Sequence, residues 1–313
     1  MPVATSQSVG MHEAKRMILI ATALVLIVGP LSLALAGWLR ARSEPAAPVA
    51  SWDTQLTAIS VLLYTLAFNL VFFVQELFLV LPKAFTPGLQ PTLFHNNHRW
   101  EGEHALASLF QGTGALATFV LGLVCLFLLR QGVGRTVAAR LFLIWVAYCG
   151  VFMALPQVVV GTLSTGSDVG MAMEYFQLTA TAKNIAALLA LAAIPLFARE
   201  FSRHLLGLAS EPAQLAGTGA RSRFIFQAAT LPAWVAMVLI LPFRVPREWM
   251  EVVFLPVVVT GVGMFWIQAG AWRLRSVRPA APPATTPLVY PLMAVIALLL
   301  IFQLLLRPGI DFF

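Results

Sequence analysis

The residues best suited to chemistry are concentrated in one short window, residues 95–104, which holds three of the five histidines of the chain. The possible ligands in this window are His95, His98, Glu101, Glu103 and His104. Neutral imidazole and carboxylate groups are common ligands of divalent transition metals. The window therefore predicts a metal site, with zinc favoured and iron or copper as alternatives.

The spacing of the three histidines restricts how they can meet. His95 and His98 are three residues apart, so one helical turn, or a turn made by Asn96 and Asn97, can bring both rings to one side. From His98 to His104 a straight helix rotates by about 240°, at ~100° per residue. Convergence of all three rings therefore requires a break, and Gly102 is the residue that permits one.

A second group of polar residues lies in the apolar segment before this window. Asn69, Glu76 and Lys83 are seven residues apart and share one helix face. An ionisable group such as Glu76 within a membrane span usually faces the bundle interior and indicates a functional site. We expect Glu76 to be a metal ligand or a general base, and Glu101 and Glu103 are the alternative catalytic carboxylates.

The next two apolar segments also begin with polar residues. His104 is predicted to start the third span, with Ser108 and Gln111 on its face. Glu174, Gln177, Thr181 and Asn184 are predicted to form one face at the start of the fifth span. Lys183 lies in the same segment and needs a partner, which Glu76, Asp168 or Glu174 can supply. The residues predicted to line the pocket are Asn69, Ser108, Gln111, Glu174, Gln177, Thr181, Lys183 and Asn184.

Each of these groups also has a purely structural interpretation. The histidines can be surface residues of a loop, and Glu76 with Lys183 can be an ion pair that joins two helices. Asn69, Gln111 and Asn184 can be interhelical hydrogen-bonding residues, which contribute ~0.6 kcal/mol each on average.

The composition predicts the fold that must position these residues. Hydrophobic residues make up 59% of the 313 residues, and charged residues make up 11%, against roughly 25% in soluble domains. The sequence predicts an all-α, polytopic integral membrane helix bundle with a single transmembrane domain over residues 1–313. We expect eight spans, near residues 17–39, 56–81, 105–129, 139–163, 177–198, 224–243, 252–271 and 287–306.

The first span resembles a signal peptide at its flanks, but its apolar run exceeds the 7–15 residues of a signal core. We therefore expect a retained transmembrane helix.

The basic residues predict the orientation of the bundle. Most arginines and lysines follow the odd-numbered spans, and such residues collect on the cytoplasmic side. This asymmetry places the histidine loop outside the cytoplasm. The net charge of +7 is spread singly over the ends of apolar runs, which favours membrane lipids or other membrane subunits as partners and not nucleic acid.

Three functions fit these patterns. The first is a metal-dependent membrane enzyme, of hydrolase type or an oxidase, acting on a lipid-linked or membrane-delivered substrate. The second is a transporter or channel that uses Glu76 and Lys183 as pathway groups, and the third is a subunit of a larger membrane complex. The inner halves of the spans carry little polarity, which favours the enzyme. The sequence contains no His-Glu-x-x-His motif and no spaced cysteine pairs.

Overall fold

The protein is a bundle of membrane-spanning helices with a small sheet at one end. The computed structural model describes residues 13, 15–45, 50–274, 277 and 286–313. Within these ranges, eight helices are long and apolar enough to cross a membrane. The predicted fold class is thus confirmed. Arg275 and the proline-rich segment 278–283, which separate the seventh and eighth spans in the sequence, lie outside the described residues.

The helices are numbered here in chain order. The eight long helices are α1 Lys15–Ser43, α2 Thr54–Ala84, α3 Ala107–Arg130, α4 Val137–Leu163, α6 Ala180–Leu206, α7 Thr218–Arg244, α8 Val252–Arg273 and α9 Val289–Leu306. A short helix, α5 Asp168–Tyr175, lies between α4 and α6. Each predicted span corresponds to one long helix.

Side-chain caps explain where several of these helices begin. The Asp53 carboxylate accepts the Leu56 N–H at 2.8 Å at the start of α2. The Thr179 hydroxyl accepts the Ala182 N–H at 3.2 Å at the start of α6. Such caps satisfy N–H groups that have no partner within the helix. The fifth span therefore begins at Ala180, after the predicted start at residue 177.

The core of the bundle surrounds α4, which packs against α2, α3 and α6. Aromatic side chains fill its centre: Tyr64, Trp145 and Tyr148 are fully buried. Tyr64 and Trp145 meet edge to face, with ring centroids 4.9 Å apart. The Tyr148 hydroxyl donates to the Thr260 carbonyl at 2.6 Å.

Helix α1 lies at the edge of the bundle and packs on α8. The Trp266 indole N–H donates to the Val25 carbonyl at 2.9 Å, and that of Trp272 donates to the Leu33 carbonyl at 3.3 Å. A Cβ atom at Gly29 would lie 2.6 Å from the Trp266 ring. Because Gly29 has no side chain, α1 can approach α8 closely at this point.

The loop between α2 and α3 forms a β-hairpin. Strands β1 Gln90–Leu93 and β2 His98–Glu101 pair antiparallel, and β1 also pairs with β3 Ile310–Asp311. The predicted bend occurs at Gly102, which has φ +93°. A Cβ atom there would lie 1.9 Å from the Gly88 carbonyl oxygen. Only glycine fits this position, so β2 returns to α3 beside the start of the hairpin.

Candidate functional site

The hairpin brings His98 onto the Glu76 side chain of α2. The Nδ1 atom of His98 lies 2.8 Å from Oε2 of Glu76, and their side chains are 9% and 7% exposed. Since the carboxylate accepts, Nδ1 donates. The other ring nitrogen of His98, Nε2, is buried and has no hydrogen-bond partner among the described residues. The ring is thus held at one nitrogen and open at the other.

Two more charged groups surround this pair. The Lys83 ammonium donates to the Leu79 carbonyl at 2.6 Å and lies 4.6 Å from the centre of the Trp100 ring. Trp100 stacks on His98, with centroids 5.8 Å apart. Asp168, from the first turn of α5, interacts electrostatically with Glu76, His98 and Lys83. Burial raises the pKa of Asp168, and the Glu76 carboxylate raises it further.

His95 has a different environment, although it lies only three residues before His98. Its Nε2 atom donates to the Val245 carbonyl at 3.2 Å, and Asn96 donates to the Arg244 carbonyl at 2.5 Å. Both contacts attach the hairpin tip to the end of α7. Burial lowers the pKa of His95, and the nearby guanidinium groups of Arg307, Arg244 and Arg247 lower it further. His95 is therefore held neutral beside cations.

The three histidines thus have separate neighbours. His104 lies in the loop after Gly102 and is exposed, and its Nδ1 accepts the Leu106 N–H at 3.2 Å. Helix α3 begins at Ala107 and not at His104. Glu101 and Glu103 are also exposed. Over the described part of the chain, no group of three His, Cys, Asp or Glu side chains could hold a metal ion. The expected convergence of the three histidines is not found there.

The predicted face on α2 is present. Asn69, Glu76 and Lys83 are all buried, although Asn69 donates to the Thr65 carbonyl of its own helix at 2.8 Å. Gln111 is buried at a break in α3, and its Oε1 atom has no hydrogen-bond partner among the described residues. Ser108 instead borders an open surface cavity together with Glu174.

The predicted polar face from Glu174 to Asn184 does not form, because its members lie on different elements. Glu174 is in α5, and Gln177 lies in the connecting turn with φ +50°. Thr181 and Asn184 are in α6. The Lys183 ammonium pairs with Glu174, one of its three predicted partners. The Glu174 side chain is half-exposed, and that of Lys183 is mostly buried. This pair is separate from the contacts around Glu76.

An apolar groove adjoins the buried cluster. It has a volume of about 440 Å³ and is lined by α3, α4 and α5, with Gly112, Phe119, Val158 and Val169 among its walls. Gly112 and Val169 are the chain neighbours of Gln111 and Asp168. The groove therefore shares α3 and the first turn of α5 with these two polar residues, and its own walls are mainly apolar.

The remaining contacts have weaker signals in the amino-acid sequence. Asp168 follows Ser167, whose hydroxyl accepts the Gly170 N–H at 3.3 Å; this cap position was a detectable sign that a helix begins there. Nothing in the spacing indicated that Trp100 covers His98 or that Asn96 binds the end of α7. Both depend on the hairpin, which no local pattern in the sequence predicts.

Comparisons with protein-family models, with curated proteins and with solved structures give no match to this chain, so its site is interpreted from its own geometry.

Proposed function

We propose that this protein is a membrane enzyme that hydrolyses a lipid or lipid-linked substrate, with His98 and Glu76 as its central residues. The observation that carries the proposal is the buried His98 ring, held by Glu76 at Nδ1 and open at Nε2. A carboxylate that fixes one nitrogen of an imidazole sets its tautomer and leaves the other nitrogen available as a base.

In the proposed reaction, His98 Nε2 takes a proton from water as the water oxygen attacks the substrate ester. The new imidazolium is stabilised by the Glu76 carboxylate, and it then returns the proton to the departing oxygen. Lys83 and Asp168 place one further charge of each sign beside the pair. Gln111 and Asn69 are the proposed neutral residues of the same pocket.

The adjoining groove supports a lipid substrate. Its walls are apolar, and it lies at the level of the helices that cross the membrane. An acyl chain in this groove would leave its polar end beside Gln111 and Asp168. The hairpin covers this end of the bundle, which we propose to be the extracytoplasmic side.

His98 has a second possible role, as a metal ligand. Ligating histidines usually donate their other ring N–H to a carboxylate or carbonyl, which is the arrangement of His98. The charges around His98 favour a cation, whereas the arginines around His95 repel one. A bound zinc, iron or copper ion would therefore be held by His98 Nε2 and the Asp168 carboxylate, with Glu76 orienting the ring through Nδ1, and it would not include His104.

The transporter alternative has one observation in its favour, the buried charges of Glu76, Lys83 and Asp168. Deeper in the bundle, however, the polar groups of α2 already have partners: Ser60 donates to the Ala228 carbonyl at 2.6 Å, and Tyr64 bonds Thr260 at 2.6 Å. Lys183 pairs with Glu174. These contacts offer no charged continuation across the membrane, so we rank the enzyme first.

Lipid mass spectrometry tests the proposal. Membranes from cells that produce the wild type, His98→Gln, Glu76→Gln or the control His104→Gln are compared, after thermal unfolding has established that each variant is folded. We expect the wild type and His104→Gln to deplete the same lipid species, and the other two variants to leave it intact. A folded His98→Gln variant with the wild-type lipid profile would overturn the proposal.

Elemental analysis of the purified wild type then distinguishes the two roles of His98. One equivalent of metal, lost in His98→Gln and kept in His104→Gln, supports ligation. Activity in a metal-free wild type supports the general base.

A further inference from the structure

A second polar cavity lies at the opposite end of the bundle, between α3, α4 and α6. It has a volume of about 260 Å³, and its walls include Arg140, Arg203 and His204. We name it the basic pocket. Leu129 near the end of α3 and Gly207 after the end of α6 also border it. The basic pocket therefore lies where the helices end, at the level of the membrane surface away from the hairpin.

The charges around the basic pocket do not balance. Glu200 is the carboxylate at this position, and it is shared by Arg130 at 3.0 Å, Arg203 at 2.9 Å and His204 at 3.5 Å. Arg140 forms no ion pair with any described residue. Two arginines and His204 share the Glu200 carboxylate, and Arg140 adds a further positive charge to the cavity wall, so a ligand that enters here meets excess positive charge.

His204 gives an independent indication of a ligand. Its Nε2 atom is buried, and no described residue completes a hydrogen bond to it, although Glu200 is near. A buried polar atom without a partner costs free energy. An anionic oxygen in the basic pocket would accept a hydrogen bond from an Nε2–H group and remove this cost.

We propose that the basic pocket binds the phosphate group of an anionic phospholipid. Arginine suits this role because its planar guanidinium donates two parallel hydrogen bonds to phosphate oxygens. The remaining walls, Leu129, Ile144 and Leu208, are apolar and fit the glycerol and the upper acyl carbons. Basic pockets between membrane helices are known to hold such head groups. This site is independent of the Glu76–His98 pair.

Titration of the full-length protein in zwitterionic phosphatidylcholine micelles tests the proposal. The probe is phosphatidylglycerol, and binding is followed by native mass spectrometry. Loss of one basic contact near a membrane surface costs ~1 kcal/mol, which corresponds to about five-fold weaker binding. We expect this loss in Arg140→Gln and again in Arg203→Gln. The matched control is Arg135→Gln, because Arg135 is exposed in the loop between α3 and α4 and does not line the basic pocket; it should bind like the wild type.

Two results would overturn the proposal. One is equal affinity of Arg140→Gln, Arg203→Gln and the wild type for phosphatidylglycerol. The other is equal affinity of the wild type for glycerol phosphate without acyl chains, which would identify a soluble phosphate as the ligand. Arg140 makes no ion pair with a described residue, so its replacement should leave the thermal unfolding temperature unchanged. Arg203→Gln provides a second measurement if Arg140→Gln fails to fold.

Discussion

Replacing Glu76 and His98 by glutamine, singly and together, measures the free energy of the contact on which the proposed site depends. Glutamine keeps the approximate size of each side chain and removes the carboxylate or the imidazole. A double-mutant cycle then isolates the coupling between the two residues from the other effects of each substitution. The prediction concerns the free energy of unfolding, so it does not require a known substrate.

The expected magnitude follows from the geometry. The two atoms are 2.8 Å apart, and both side chains are more than nine-tenths buried. A hydrogen bond to a charged group contributes about 1.5–3 kcal/mol. The Coulomb attraction is strong at this separation, but burial of the carboxylate offsets much of it. We therefore expect a coupling of about 2 kcal/mol.

The assay is reversible unfolding in mixed detergent micelles, followed by circular dichroism. The matched control is a second cycle with Glu103→Gln and His104→Gln, because both residues are exposed and belong to the same loop. Its coupling should lie within about 0.5 kcal/mol of zero. A coupling of that small size for Glu76 and His98 would refute the argument, since the two side chains would then not act as a buried pair.

Two further outcomes are expected. Gly102→Ala should lower the free energy of unfolding by about 1–3 kcal/mol, because the new Cβ would collide with the Gly88 carbonyl. The control Gly219→Ala, at an open helical position, should raise the free energy of unfolding by about 0.5–1 kcal/mol. An unchanged free energy in Gly102→Ala would contradict the hairpin geometry. The pKa of His95 is lowered from 6.5 by burial, so its stabilising contribution is present above pH 6.5 and is lost as the pH falls through its folded-state pKa. Between pH 7.5 and pH 5, the thermal unfolding temperature should therefore fall more for the wild type than for His95→Gln. Equal decreases would argue against a buried, neutral His95.

The part of the site that lies on α2 was predictable because a helix has a fixed period. Asn69, Glu76 and Lys83 follow that period, and all three are buried as a result. The hairpin was not predictable in the same way. Its strands have four residues each, and β1 also pairs with Ile310 and Asp311, more than two hundred residues later. No local pattern records such a pairing.

The polar residues near α6 show a second reason why part of the site could not be predicted from the sequence. Glu174 and Gln177 fit the helical spacing of Thr181 and Asn184, so periodicity alone placed all four on one face. The Thr179 cap starts α6 after Gln177, and the turn before it separates the two pairs. A capping residue thus overrides an apparent periodicity. The carboxylate that interacts with Glu76 is Asp168, in the first turn of α5, and not Glu174.

The different environments of His95 and His98 explain why a histidine-rich window need not be a three-histidine metal site. His95 binds the carbonyl that ends α7 and is surrounded by arginines, so a neutral ring is what its position favours. His98 instead lies beside the carboxylates of Glu76 and Asp168, and its Nε2 atom has no hydrogen-bond partner among the described residues. The first residue attaches the hairpin to the bundle, and that attachment holds the second against Glu76. Loss of the His95 contact should therefore weaken the Glu76–His98 coupling, and the same double-mutant cycle in a His95→Ala background measures this effect. An undiminished coupling would show that the Asn96 contact and the pairing with β3 position the hairpin without His95.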